Sequence, residues 1–307
     1  MLARIFFLLL GLLYFSTAPV LAEPPRVVVS LKPVHGLIAG VMAGLGQPHL
    51  LLAAGTDPHS HAMRPSEARA LAGADVVFWV GPALEGYLQK PLASLAAKAK
   101  VIALSDSPGV HHLPAREGGI WEEAQDHGQH GHSRDPHVWL DPRNAHAMVR
   151  HAVAVLAGLD PRNVGAYRRN GDRVIAQLVD LEVEISSLLA PVRALPYMVL
   201  HDAYQYFEAR FYTNALGAIA IAPDRKPGAR RIATIRRRLA QGNVRCVFRE
   251  AQYPAKVVDT LTLGMDVWVA SLDPIGRDIA PGPKAYGQLL RQLSSSLVNC
   301  LSYSIGP

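Results

Sequence analysis

Cysteine is scarce in this sequence and long apolar runs are scarcer. The only two cysteines, Cys246 and Cys300, lie far from the amino terminus, which excludes a lipid anchor attached to a thiol behind a leader. The apolar stretch near the amino terminus, Ile5 to Phe15 in "MLARIFFLLLGLLYFSTAPVLAEPP", is shorter than the ~20 residues a membrane span needs. One basic residue precedes it and small residues follow to Ala22, the layout of a secretory signal cleaved after that alanine. The expected product is a soluble chain in the periplasm.

Compact metal motifs are also missing. No H-E-x-x-H occurs, and no glutamate adjoins a candidate ligand histidine in an arrangement that would make it a general base. This weakens a zinc hydrolase, although three histidines and a water also describe a catalytic zinc. No acidic excess exists either: the formal net charge is +6, and +5 once Arg4 leaves with the signal. The densest basic cluster, "RRIATIRRR" at 230–238, reads in an exported chain as a solvated helix face, and no nucleic-acid partner is expected.

What is present is a repeating alternation. "RVVVSL", "HLLLAA", "DVVFWV" and "KVIAL" read as buried strands separated by loops and amphipathic segments, the pattern of a βα-wound lobe. After Asp160 the period changes to that of a helix. Val174, Leu178, Leu181, Ile185 and Leu188 form one stripe between Pro161 and Pro191, and 30 helical residues would reach about 45 Å. Strand signals resume with "YMVL", "RCVF" and "DVWVA", and "KAYGQLLRQLSSSLVNCL" closes the chain as a helix.

The fold class is therefore α/β, with two (βα)-wound lobes joined by one long rigid helix. The signal takes 1–22, the first lobe 23–159, the linking helix 160–191 and the second lobe 192–307. A weak internal echo, "RPSEARALAGADVVFWV" against "KPGARRIATIRRRLAQGNVRCVF", runs in both lobes from a basic-Pro pair through a helix into a strand.

Histidine carries the chemistry. His59 follows the "LLLAA" run, His137 precedes a helix with Asp141 as its cap and Pro142 in its first turn, and His201 follows "YMVL" with Asp202 as the next cap. Asp273 follows "DVWVA". Ligands of wound α/β sheets collect outside the carboxyl ends of strands, so these four can converge on one cleft. Three neutral imidazoles with a carboxylate or water suit tetrahedral Zn2+. His59 and His61, two residues apart, face opposite ways if the loop is extended, so one is functional and the other incidental. Glu250 is taken as structural.

A low-complexity loop, Gly109 to Ser133, holds His111, His112, His127, His130 and His132. Its "DHGQHGH" run reads as auxiliary metal contact through His127, His130 and His132, and the alternative is a soluble linker. The two cysteines of an exported chain read as a disulfide worth about 4 kcal/mol, with a buried free pair as the alternative.

Taken in order, "DPHSHAMRPSEARALAGADVVFWVGPALEGYL", "DPHVWLDP", "HDAYQYFEARF", "CVFREAQY" and "SLDPIG" resemble the solute-binding receptors of metal ABC importers, most closely the zinc-uptake branch. The resemblance implies metal in the cleft between the lobes and delivery to a membrane permease by a monomeric, non-catalytic receptor. By motif position the zinc ligands would be His59, His137 and His201, with water or Asp273 fourth and His61 outside the ligand set. Related manganese receptors usually carry glutamate where this chain has His201, so a manganese or iron receptor of the same fold is the nearer alternative. Pro58 stands where zinc receptors can carry an acidic residue, and Cys246 with Cys300 matches the disulfide of the zinc branch.

Overall fold

The computed structural model describes residues 23–52, 55–116, 134–219, 228–241, 244, 246–251 and 253–303. The signal segment and the auxiliary histidines His127, His130 and His132 lie outside the described residues.

Each lobe is built on a four-stranded parallel sheet. In the first, β1 (Val27–Val29) and β3 (Val76–Trp79) are buried at every position, as the interior strands of a sheet covered on both faces must be. β2 (His49–Leu50) and β4 (Lys100–Ala103) flank them, in the order β2-β1-β3-β4. The second sheet has β5 (Pro196–Val199), β6 (Asn214–Ala218), β7 (Cys246–Arg249) and β8 (Trp268–Ser271), in the order β6-β5-β7-β8. The two orders are the same permutation of second, first, third and fourth strand. The internal echo maps onto it: α2 (Pro65–Ala72) leads into β3 and α7 (Ala229–Gln241) leads into β7, the third strand of each lobe.

Helices α1 (Lys32–Val41), α3 (Gln89–Leu95) and α4 (Pro142–Leu159) complete the first lobe's layers. Pro142 sits at the start of α4, and Asp141 caps it by accepting the Arg143 amide at 2.8 Å. After a tight turn at Pro161–Asn163, α5 (Val164–Leu189) runs for 26 residues, about 39 Å. Its buried stripe ends at Leu189 rather than at Leu188, which is exposed, because Leu181, Ile185 and Leu189 follow steps of four. At Gly171 a Cβ would stand 2.5 Å from Val153 Cγ2, so the absence of a side chain is what lets α4 and α5 approach.

The second lobe adds α6 (Gln205–Phe211), α8 (Lys256–Thr262) and α9 (Ala285–Tyr303). Although α9 is last in sequence, it packs on α1 and α5 as well as β8, and Cys300 on it is bonded to Cys246 of β7. One apolar core therefore runs through both lobes, with smaller clusters outside each sheet. Polar ties cross near the carboxyl ends of the strands. Trp139 Nε1 donates to Pro274 O at 2.8 Å, and Lys32 Nζ donates to Gly276 O and Arg277 O at 2.6 and 2.7 Å.

The basic cluster on α7 is only partly a solvated face. Arg231 donates to the carbonyls of Ala218 and Ile219, and Arg236 to those of Leu261 and Leu263, so both tie α7 to its neighbours. Among the described residues, no helix is long and apolar enough to cross a membrane.

Candidate metal centre

Two of the three histidines sit on turns that leave the sheets, and His137 directly precedes the short helical turn Val138–Leu140 ahead of α4. His201 lies two residues past β5, and Glu250 directly follows β7, the strand beside β5. Adjacent parallel strands thus bring the two side chains together, and His201 Nδ1 meets Glu250 Oε1 at 2.5 Å. His137 is held by a local turn: Asp135 Oδ1 accepts its amide at 2.9 Å and its Nδ1 at 2.8 Å. His59 lies in the turn after β2, where Asp57 accepts the His59 amide at 2.9 Å and the Ser60 hydroxyl at 2.8 Å.

One nitrogen from each ring falls within 4.8 Å of the other two. Ring centroids are separated by 5.4 Å (His59 to His137), 5.9 Å (His59 to His201) and 5.5 Å (His137 to His201). His137 and His201 are buried, and His59 closes the group from the exposed side. Carboxylates only accept hydrogen bonds, so Asp135 and Glu250 place the imidazole proton on Nδ1 of each partner. That leaves both Nε2 atoms as acceptors, and among the described residues both are buried without a partner. Two unpaired lone pairs aimed into a shared space are costly unless something binds there.

The electrostatics differ from ring to ring. His59 is exposed as a residue, but its ring faces inward; desolvation on that side, then the charges that His137 and His201 would carry, lower its pKa to about 4. For His201, burial opposes protonation most strongly, yet the Glu250 carboxylate outweighs it and the pKa is raised.

The family model described as ZnuA, zinc-uptake complex component A, periplasmic, matches residues 27–300. The chain belongs to the ZnuA family. The high-affinity zinc uptake system protein ZnuA of Brucella suis is 36% identical over 318 residues, covering 94% of this chain and 95% of its own. That of Yersinia pestis is 35% identical over 308 residues, covering 93% and 96%. Among solved structures, a crystal structure of ZnuA matches with TM-score 0.78 at 21% identity, covering 91% of this chain and all of that one. The Mn2+ complex of the solute-binding protein FpvC of Pseudomonas aeruginosa matches with TM-score 0.79 at 21% identity over 92% of this chain. These likenesses show the fold of the family: two lobes and a long helix.

The fourth candidate in this ZnuA-family chain is differently placed. Asp273 does not join the group; its Oδ1 accepts the amides of Ile275 and Gly276 at 3.1 and 2.9 Å, and its Oδ2 accepts the Arg277 amide at 2.5 Å. The carboxylate closes the turn that meets Lys32. Asp202 does not cap α6, which begins three residues later without a side-chain cap. It pairs instead with Arg116, which also reaches Glu208 at 2.5 Å, and burial pushes Glu208 up to about 7 against the pull of that arginine.

His61 turns away from the group. Its Nε2 meets Glu67 Oε2 at 2.7 Å, and its ring packs edge-on against Tyr87. Asp135 and Glu250, the carboxylates bonded to the Nδ1 atoms of His137 and His201, are the residues of this group that the sequence did not single out as histidine partners. The signal for Glu250 was available, since it follows "CVFR" at a strand's carboxyl end just as His201 follows "YMVL".

Proposed function

We propose that this chain is a periplasmic receptor that captures zinc between its lobes and hands it to the membrane permease of an ABC importer. The observation that carries the reading is the pair of buried, unpartnered Nε2 atoms of His137 and His201 facing His59. Tetrahedral zinc with Zn–N bonds of about 2.0–2.1 Å would bring such nitrogens to roughly 3.3 Å, so modest closure of the rings suffices. Water takes the fourth position in this reading, since Asp273 is engaged with three backbone amides.

Three nitrogen donors with no carboxylate among them favour zinc over manganese. A hydrolase is disfavoured by the carboxylates present, because Asp135 and Glu250 stand behind the rings at Nδ1 and do not face a metal-bound water. We take the mature receptor as a monomer beginning after Ala22, with lobes at 23–159 and 192–307 around the helix at 160–191, and His127, His130 and His132 as an auxiliary zinc contact.

The test is titration of the metal-stripped mature protein with zinc against a competing chelator, with manganese in parallel. One tight zinc site and much weaker manganese is expected. Tighter manganese, or no zinc binding, would overturn the reading.

A further inference from the structure

We propose that His61 is a positioning residue for His59, acting through its bond to Glu67. The inference rests on His59 being a zinc ligand.

His137 and His201 each have a carboxylate fixing the ring through Nδ1. For His59, among the described residues, the hydrogen bond runs from its backbone amide to Asp57, and that bond does not itself fix the ring. The direction of the His59 side chain is therefore set by the path of its loop. Asp57 holds that loop on the near side, through the His59 amide and the Ser60 hydroxyl. On the far side the anchor is His61, whose side chain and that of Glu67 are each only 6% exposed.

Glu67 is itself fixed. It lies in the first turn of α2, and the oxygen that meets His61 also accepts the Arg64 amide at 2.8 Å. Tyr87 closes the pocket, its ring centroid 5.2 Å from that of His61. His61 thus pins the loop to the start of α2, and two residues earlier His59 is delivered to the exposed side of the metal group. Losing the pin leaves the ligand in place but unordered, so zinc must bear the cost of ordering it. Outer partners of metal ligands characteristically contribute about 10–100-fold in affinity, and His61 does so through the backbone rather than through the ring.

The experiment is a double-mutant cycle in the full mature protein, reading zinc affinity by chelator competition and the thermal midpoint of the metal-free form. His61→Ala is expected to weaken zinc about tenfold or more, while His61→Gln, which can still donate to Glu67, recovers most of the loss. In the His59→Ala background, His61→Ala should change zinc affinity no further, because the residue it positions is gone. A midpoint shift that is the same in both backgrounds is expected from the lost packing. Wild-type affinity in His61→Ala, or an equal loss of affinity in both backgrounds, would overturn the proposal. Unchanged affinity in His59→Ala alone would instead overturn the zinc-site reading beneath it.

Discussion

Glu250 Oε1 stands 2.5 Å behind His201 Nδ1, on the side of the imidazole opposite its buried, unpartnered Nε2. Asp135 repeats the relationship with His137 at 2.8 Å. Each carboxylate fixes the tautomer that can bind metal, and at His201 the carboxylate also makes the ring more basic. Basicity has a second consequence, since a ring that holds zinc better also holds a proton better. At His201 the raised pKa makes the proton a competitor at higher pH than for an ordinary imidazole, whereas His59, lowered to about 4, stays neutral through the same range.

Zinc affinity should therefore fall as pH drops, by about tenfold per pH unit once His201 holds a proton that zinc must displace. Glu250→Gln removes the charge that raises this pKa. The onset of proton competition should move to lower pH, and affinity on the plateau above that onset should fall by about 10–100-fold. Chelator competition across the pH range measures both effects. An onset in Glu250→Gln at or above that of the wild type would refute the role given to Glu250.

Stability in the metal-free protein has a separate pH dependence at Glu85. This side chain is fully buried, accepts the Val80 amide at 2.7 Å, and is pushed by burial up to about 7. A folded-state pKa above the unfolded value means that the native state binds more protons. The associated stability is present below pH ~4.5 and is lost as pH rises through about 7. Glu85→Gln imitates the protonated form. Its unfolding free energy relative to wild type should increase between pH ~5 and pH ~8, making it relatively more stable by an amount on the order of 3 kcal/mol. Glu208 contributes in the same direction to both proteins, so the difference between them isolates Glu85. Urea unfolding at several pH values gives that difference, and a flat one would show Glu85 to be ionised throughout.

The architecture was legible because its signals are local. "RVVVSL" and "DVVFWV" are apolar at successive positions, which a strand covered on both faces requires, and the long stripe in α5 has a helix's period. Leu188 was misplaced by one residue since the alternation of three and four that the sequence permits gives way in α5 to successive steps of four. The failures at the site share a different cause: they are pairings over long separations. Asp202 looks like a helix cap in sequence, and only the fold brings Arg116 to it. Glu250 and His201 are 49 residues apart and meet because β5 and β7 are neighbours. Asp273 is the reverse case. Its role as a turn-closing acceptor is local, but nothing in "SLDPIG" distinguishes it from a ligand.

Replacement of the three histidines tests the site itself. Each of His59→Ala, His137→Ala and His201→Ala removes a direct donor, so each should cost more than the roughly 100-fold upper end expected for losing an outer partner. Asp273→Asn should behave differently. Its carboxamide oxygen can still accept amides at the turn, so zinc affinity should stay within about threefold while the turn loses a fraction of a charge-assisted bond. Competition titrations of the four variants rank them. A loss in Asp273→Asn as large as in His59→Ala would make Asp273 the fourth ligand in place of water.

The disulfide should stabilise the fold without tuning the site. Cys246 of β7 and Cys300 of α9 are separated by 54 residues in sequence, a closed loop worth about 4 kcal/mol in the chain-entropy account. The His201–Glu250 pair is aligned by the parallel ladder of β5 and β7, where Tyr197 registers with Cys246 and Met198 with Val247. That ladder does not depend on a covalent tie to α9. Replacing both cysteines by serine should lower the urea midpoint of the metal-free protein while leaving zinc affinity near wild type. Reduction of the wild type should reproduce the same loss, and the double variant should ignore the reductant. If reduction also abolished zinc binding, α9 would have to be holding β7 in register, and the site would depend on the covalent frame behind it.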